Sequence, residues 1–213
     1  MKNDCDIILT PTSEEICNEL GLNYNDILNI YPYGSRVYGS ADLFSDYDFI
    51  IVYKQSLLPS GSFKDNAISS NDRMIQGTCY SRGGFIDAIN NYQMPALEAI
   101  FLPDNKVVKK TIDFKVNKFD KKILVKKVIS LASASWHNAV LSYKSDNQEY
   151  VGKNIYHALR ILDFGLQIRN CQKIFDYGSM NQVREIIYNN LDNIKPNDWV
   201  ESFLKMSIDL KSQ

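Results

Sequence analysis

The chain has 213 residues, 45% hydrophobic and 12% aromatic, with a formal net charge of −1. These are the values of an ordinary globular protein with room for one large or two small cored units, and the whole-chain charge announces neither nucleic acid nor membrane. No apolar stretch approaches the ~20 residues of a membrane span, which excludes a helical membrane protein as the expectation.

The opening "MKNDCDIILTPTSEE" has only a short apolar run before polar residues and does not read as a signal peptide. Cys5, Cys17, Cys79 and Cys171 are scattered without metal-ligand spacing, so free thiols in a reducing, cytoplasmic compartment are expected. "TSEEICNEL" predicts a helix with a capping box, Thr12 as N-cap and Glu15 three residues on. A strand is expected over about 26 to 33, with Pro32 marking an early end or a nearby edge. A short helix or turn and a polar loop fill 34 to 45, and a second strand spans about Tyr47 to Tyr53.

Residues 55 to 72, rich in Ser, Asn, Gly and Pro, read as a loop or mobile flap. "RMIQGTCY" predicts a third strand, weakened by Gly77. "GGFIDAINNYQMPALEAIFL" gives a helix, a break before Pro95 and a second apolar segment. From about Lys121 onward the patterns are helical throughout. A lysine-dense run from Lys106 to Lys127 is a solvated face in the bland reading and a polyanion surface in the sharper one.

The chemistry concentrates in "YGSRVYGSADLFSDYDFIIV", residues 33 to 52. "DFIIVY" is an apolar strand covered on both faces, and Asp46 and Asp48 stand at its mouth, two residues apart and so on one side. Two carboxylates this close raise each other's pKa unless a cation sits between them, which points to a divalent metal. Hard oxygen ligands that leave other positions open suit Mg²⁺, or Mn²⁺. Gly34 and Ser35 directly follow a strand, where backbone N–H groups and a hydroxyl can hold phosphate oxygens. Arg36 stands between a surface residue and a phosphate contact. Ser45 reads as a local turn stabiliser.

Gly-Ser, a spacer and Asp-x-Asp entering a strand resemble the signature of the DNA polymerase β-like nucleotidyltransferase superfamily. With Arg36, Tyr38, Gly39 and Ser45-Asp46, the string is most similar to its small members associated with RNA repair and phage genomes. The resemblance implies that Gly34 and Ser35 bind triphosphate oxygens and that Asp46 and Asp48 ligate Mg²⁺. The family adds a third carboxylate from a nearby strand, and here the sequence departs from it. Alternation on the third strand puts Met74, Gln76, Thr78 and Tyr80 on one face, with Gln76, a neutral residue, about where an aspartate is expected. Asp72 at the strand's start is the nearest acid.

In "YVGKNIYHALRILDFG", Lys153, His157 and Arg160 fall at i, i+4 and i+7, one face of a helix. A cationic stripe needs an anion, and by the resemblance Lys153 and His157 clamp the nucleotide. Glu98, in apolar surroundings, is expected to satisfy buried amides or an arginine.

The expected fold is α+β: a small mixed sheet flanked by helices over 1–112, then a helical domain over 113–213 closing on the nucleotide. The expected function is Mg²⁺-dependent transfer of a nucleoside monophosphate from a nucleoside triphosphate to an RNA end, a protein side chain or a small molecule. The rival reading, which the missing mid-strand carboxylate favours, is a catalytically impaired relative serving as a nucleotide- or RNA-binding or antitoxin-like interaction module.

Overall fold

A computed structural model describes residues 10–54, 66–70 and 74–212. The fold is α+β, with a five-stranded mixed sheet and a helical C-terminal region. Helix α1 (Ser13–Glu19) starts as expected: Thr12 accepts from Glu15 N, and Glu15 reaches back to the Thr12 amide at 2.7 Å. Strand β1 (Ile27–Tyr33) runs through Pro32, followed by a single helical turn α2 (Ser35–Tyr38) and strand β2 (Tyr47–Tyr53).

Strand β3 (Asn66–Ser69) falls inside the stretch expected to be loop, so that expectation is corrected there; residues 55–65 and 71–73 lie outside the described residues. Its short run "NAIS" is brought into the sheet by pairing with β4 (Ile75–Ser81), a tertiary gain that its polar composition does not advertise. Helices α3 (Arg82–Asn90) and α4 (Met94–Ile100) then follow, with Pro95 in the first turn of α4, where its missing N–H costs nothing. The two-residue strand β5 (Lys109–Lys110) precedes the long helices α5 (Lys121–Lys144) and α6 (Gln148–Cys171), then α7 (Asn181–Tyr188) and α8 (Val200–Lys211). Among the described residues, no helix is long and apolar enough to cross a membrane.

The strand order is β3-β4-β2-β1-β5, with β2 and β4 parallel and the other neighbours antiparallel. β5 covers only Asn29 and Ile30 of β1, so Pro32 lies beyond it on an open flank, where a missing donor is tolerated. The segment after β5 is pinned by buried Asn29, whose Oδ1 accepts from the amides of Thr111 and Ile112 at 3.1 and 3.0 Å.

Alternation divides β2 between two cores. Phe49, Ile51 and Tyr53 pack with Ile16 and Cys17 of α1. Ile50 and Val52 face the larger cluster, which runs without a break through α3, α4, α5 and α6. Asp48 shares the parity of Ile50 and Val52, so the strand delivers its carboxylate to the helical side of the sheet. The described cysteines, Cys17, Cys79 and Cys171, are free thiols.

Candidate active site at the mouth of β2

The turn from β1 into α2 makes room for Asp48. Gly34 has φ +78° and ψ −155°, a conformation open to glycine and strained for any other residue. A Cβ placed there would lie 3.2 Å from Asp48 Cγ and closer still to Oδ2. Glycine is thus required twice, by backbone angle and by the carboxylate packed against it. Gly34 rather than Ser35 occupies the N-cap, and Ser35 is the first helical residue. First-turn amides have no partner inside a helix, which leaves those of Ser35 and Arg36 without an intrahelical acceptor.

Asp46 lies just before β2 and is held from both sides. The Arg36 guanidinium donates through Nε to the Asp46 carbonyl at 3.1 Å and through Nη2 to the Ser45 carbonyl. The same guanidinium lies 3.7 Å from the centre of the Tyr47 ring. Arg36 therefore fixes the loop that presents Asp46. Ser45 stabilises that loop as expected, its hydroxyl bonding Asp42 Oδ1 at 2.9 Å.

Gln76 is the Cα partner of Asp48 across the parallel pair, and its Nε2 donates to Asp46 Oδ2. Facing a carboxylate, an amide must turn its donor forward, so Gln76 meets Asp46 as a donor rather than as an oxygen ligand. The expected face alternation on β4 is seen: Tyr80 joins the helical-side core and Cys79 the opposite one. Among the described residues, no group of three His, Cys, Asp or Glu side chains is placed to hold a metal; Asp72 lies outside them.

Desolvation at the start of β2 pushes the Asp48 carboxyl up to about 6, with the charge of Asp46 adding to the rise and Lys153 opposing it. The structure thus packs Gly34 against Asp48 beside Asp46, and the charge of Lys153, more than 100 residues on in sequence, is felt at Asp48. A second carboxylate beside Asp48, whose own carboxyl is held above its ordinary value, fits a hard divalent ion, which binds through one or two carboxylates plus phosphates and water. A cavity of about 480 Å³, walled by Tyr33, Tyr47 and Val107, reaches Asp48 and Arg36 from the α1 side of the sheet, and its lining does not include Asp46, Gly34 or Lys153.

The expected cationic stripe on α6 separates into three environments. Lys153 is exposed. His157 is half-buried, and desolvation together with the charges of Arg160 and Lys153 pulls its imidazole down to about 3, so it is neutral and supplies hydrogen bonds rather than charge. Arg160 is buried, and its anion is Glu98: Nη1 meets Oε2 at 3.1 Å. The expectation that Glu98 satisfies an arginine holds.

Tyr38 donates to the same Glu98 oxygen at 2.6 Å, and its ring lies 3.9 Å from the Arg160 guanidinium. Tyr177 donates to the Glu98 carbonyl at 2.6 Å, and Asn181 Nδ2 to the Tyr38 carbonyl at 2.8 Å. This buried knot ties α2, α4, α6 and the start of α7 together, and so fixes α6 against the sheet. Sequence reasoning did not find Tyr177 or Asn181. The one available signal was the pair of tyrosines, Tyr33 and Tyr38, flanking Gly-Ser.

No protein-family model matches the sequence, and a comparison with curated proteins finds no match.

Proposed function

We propose that the protein is a Mg²⁺-dependent nucleotidyltransferase that moves a nucleoside monophosphate from a nucleoside triphosphate to an acceptor, releasing pyrophosphate. The observation that carries this reading is the packing of Asp48 against Gly34, beside Asp46 and under the charge of Lys153. Asp46 and Asp48 hold the metal, the amides that open α2 receive phosphate oxygens, and Lys153 meets the remaining phosphate charge. The ion, when bound, supplies positive charge to the phosphates. His157, being neutral, orients by hydrogen bonding.

A second reading, nucleotide binding without transfer, is favoured by Gln76, which faces Asp46 as a donor on the strand where the family places its third carboxylate. One experiment separates the two. Labelled nucleoside triphosphates are incubated with the protein and Mg²⁺, with and without an RNA pool or a cell lysate. Transferred label and pyrophosphate, both lost in D46N and D48N, support transfer. Retention of nucleotide without pyrophosphate supports the binding module. No Mg²⁺-dependent nucleotide binding by the wild type would sink both.

A further inference from the structure

We propose that a cationic cleft between the first turns of α5 and the last turns of α6 and α8 binds the phosphodiester backbone of a nucleic-acid strand. The cleft measures about 650 Å³ and carries Lys121, Lys122, Lys126, Arg169 and Lys211. Arg169 is the built element. It is only 3% exposed, and its Nη1 donates to the Asp209 carbonyl at 3.2 Å. Among the described residues, no carboxylate pairs with it. No guanidinium nitrogen of Arg169 is both buried and without a partner, so donors not used on the Asp209 carbonyl are open to the cleft, where an anion can meet them.

The rim points the same way. Lys121 and Lys122 occupy the first turn of a 24-residue helix that has no acid there, so their charges add to the positive end of the helix dipole. The N-cap Asp120 is engaged with the amides of Lys122 and Ile123 at 2.9 and 3.1 Å. The earlier half of the lysine run is occupied elsewhere: Lys110 pairs with Asp104 and Asp113, Lys115 with Asp113, and Lys109 rests on the Tyr24 ring.

The lining also selects the occupant. Its side chains are cationic donors over an apolar floor of Val125, Ile129 and Leu210, with no side-chain acceptor. A peptide backbone would leave its N–H groups unpaired on such a surface, whereas a phosphodiester chain presents acceptors and apolar sugar carbons. Lys121 to Lys126 spans ~7.5 Å of helix, more than a single phosphate needs. Without aromatic rings or base-reading groups, the cleft takes any sequence.

Along α6, Arg169 lies about 24 Å from Lys153 and roughly 160° round the helix. The cleft therefore opens away from the Asp46–Asp48 pair, and the inference does not rest on the function proposed above.

The test is fluorescence anisotropy of the full chain with a short labelled single-stranded RNA over a salt series. Wild type should bind with log affinity falling linearly against log salt. K122E/K126E should bind at least tenfold more weakly, with a slope shallower by about 1.4. Acidic residues suit a helix N-terminus, so this variant should fold, as circular dichroism will show. D46N/D48N should bind RNA as wild type does. Binding unaffected by K122E/K126E, binding lost in D46N/D48N, absence of RNA binding at low salt, or preference for poly-glutamate or anionic phospholipid vesicles would each overturn the proposal.

Discussion

The carboxylate of Asp48 fills the space that a side chain on Gly34 would need: a Cβ there would sit 3.2 Å from Asp48 Cγ and nearer still to Oδ2. The tight turn out of β1 and the acid on β2 are therefore one unit. Neither can change without displacing the other.

Gly34→Ala should accordingly cost stability and displace the acid. The strained backbone alone is worth on the order of 1–3 kcal/mol, and the clash adds to it. Gly83→Ala is the control, since a Cβ there meets nothing within 4 Å and the site is in the first turn of α3. It should be neutral or stabilising by about 0.5–1 kcal/mol. Urea unfolding of both variants, with Mg²⁺-nucleotide titration of each, measures the difference; equal behaviour would remove the steric argument.

Mg²⁺ should relieve the part of the pH dependence of stability that comes from the Asp48 carboxyl. The Asp48 carboxyl titrates at about 6 when folded, above its ordinary value of 3.8. A carboxyl raised by folding binds its proton more tightly in the native state, so stability falls as pH climbs from about 4 to about 6, and the full penalty remains above that. Glu98 and Asp163 are raised in the same direction, so wild type alone is not diagnostic. The difference between wild type and D48N is: melting temperatures at pH 4.5 and 7.5 without divalent ion should show the smaller fall for D48N. Mg²⁺ should recover wild type at pH 7.5 and leave D48N unmoved.

Breaking the Arg160–Glu98 pair should be among the most damaging single changes in the core. Both side chains are about 2% exposed, and removing one leaves the other charged and buried, at a cost of about 3–5 kcal/mol. Arg160→Met with Glu98→Gln should cost less than the sum of the two single changes, because no lone charge remains. A double-mutant cycle by denaturant unfolding gives the coupling directly, and additive costs would mean the pair contributes no interaction of its own.

Gln76→Glu tests whether a third carboxylate at this position would complete a metal site. The side chain already reaches Asp46, so a glutamate would bring a third carboxylate to the pair. Without metal the three acids repel, and the melting temperature should drop. With Mg²⁺ the affinity should rise and any transfer quicken. A variant whose Mg²⁺ affinity matches wild type would place the third ligand elsewhere on the chain.

Much of this was legible from spacing alone. The capping box at Thr12 and Glu15, the break before Pro95 and the helices from Lys121 onward stand where the pattern put them, because capping, proline sterics and apolar periodicity act within a few residues. Period-two alternation likewise sufficed to put Asp48 on one face of β2 and Gln76 on the matching face of β4. The strand at Asn66–Ser69 was missed for the complementary reason: its four residues gain their order from hydrogen bonds to β4, not from their own preference.

The α6 face shows where local reasoning ends. Helical spacing groups Lys153, His157 and Arg160 identically, yet one is exposed, one is neutral and one is buried against Glu98, 62 residues away in sequence. Which anion an arginine meets depends on how α4 and α6 dock, and docking is decided by the packing of a core that draws on nearly every element. Residue order carried the chemistry available at each position; the long-range fit of helix on sheet determined which of those groups face one another, and hence that Arg160 is buried against Glu98 while Lys153 stays exposed.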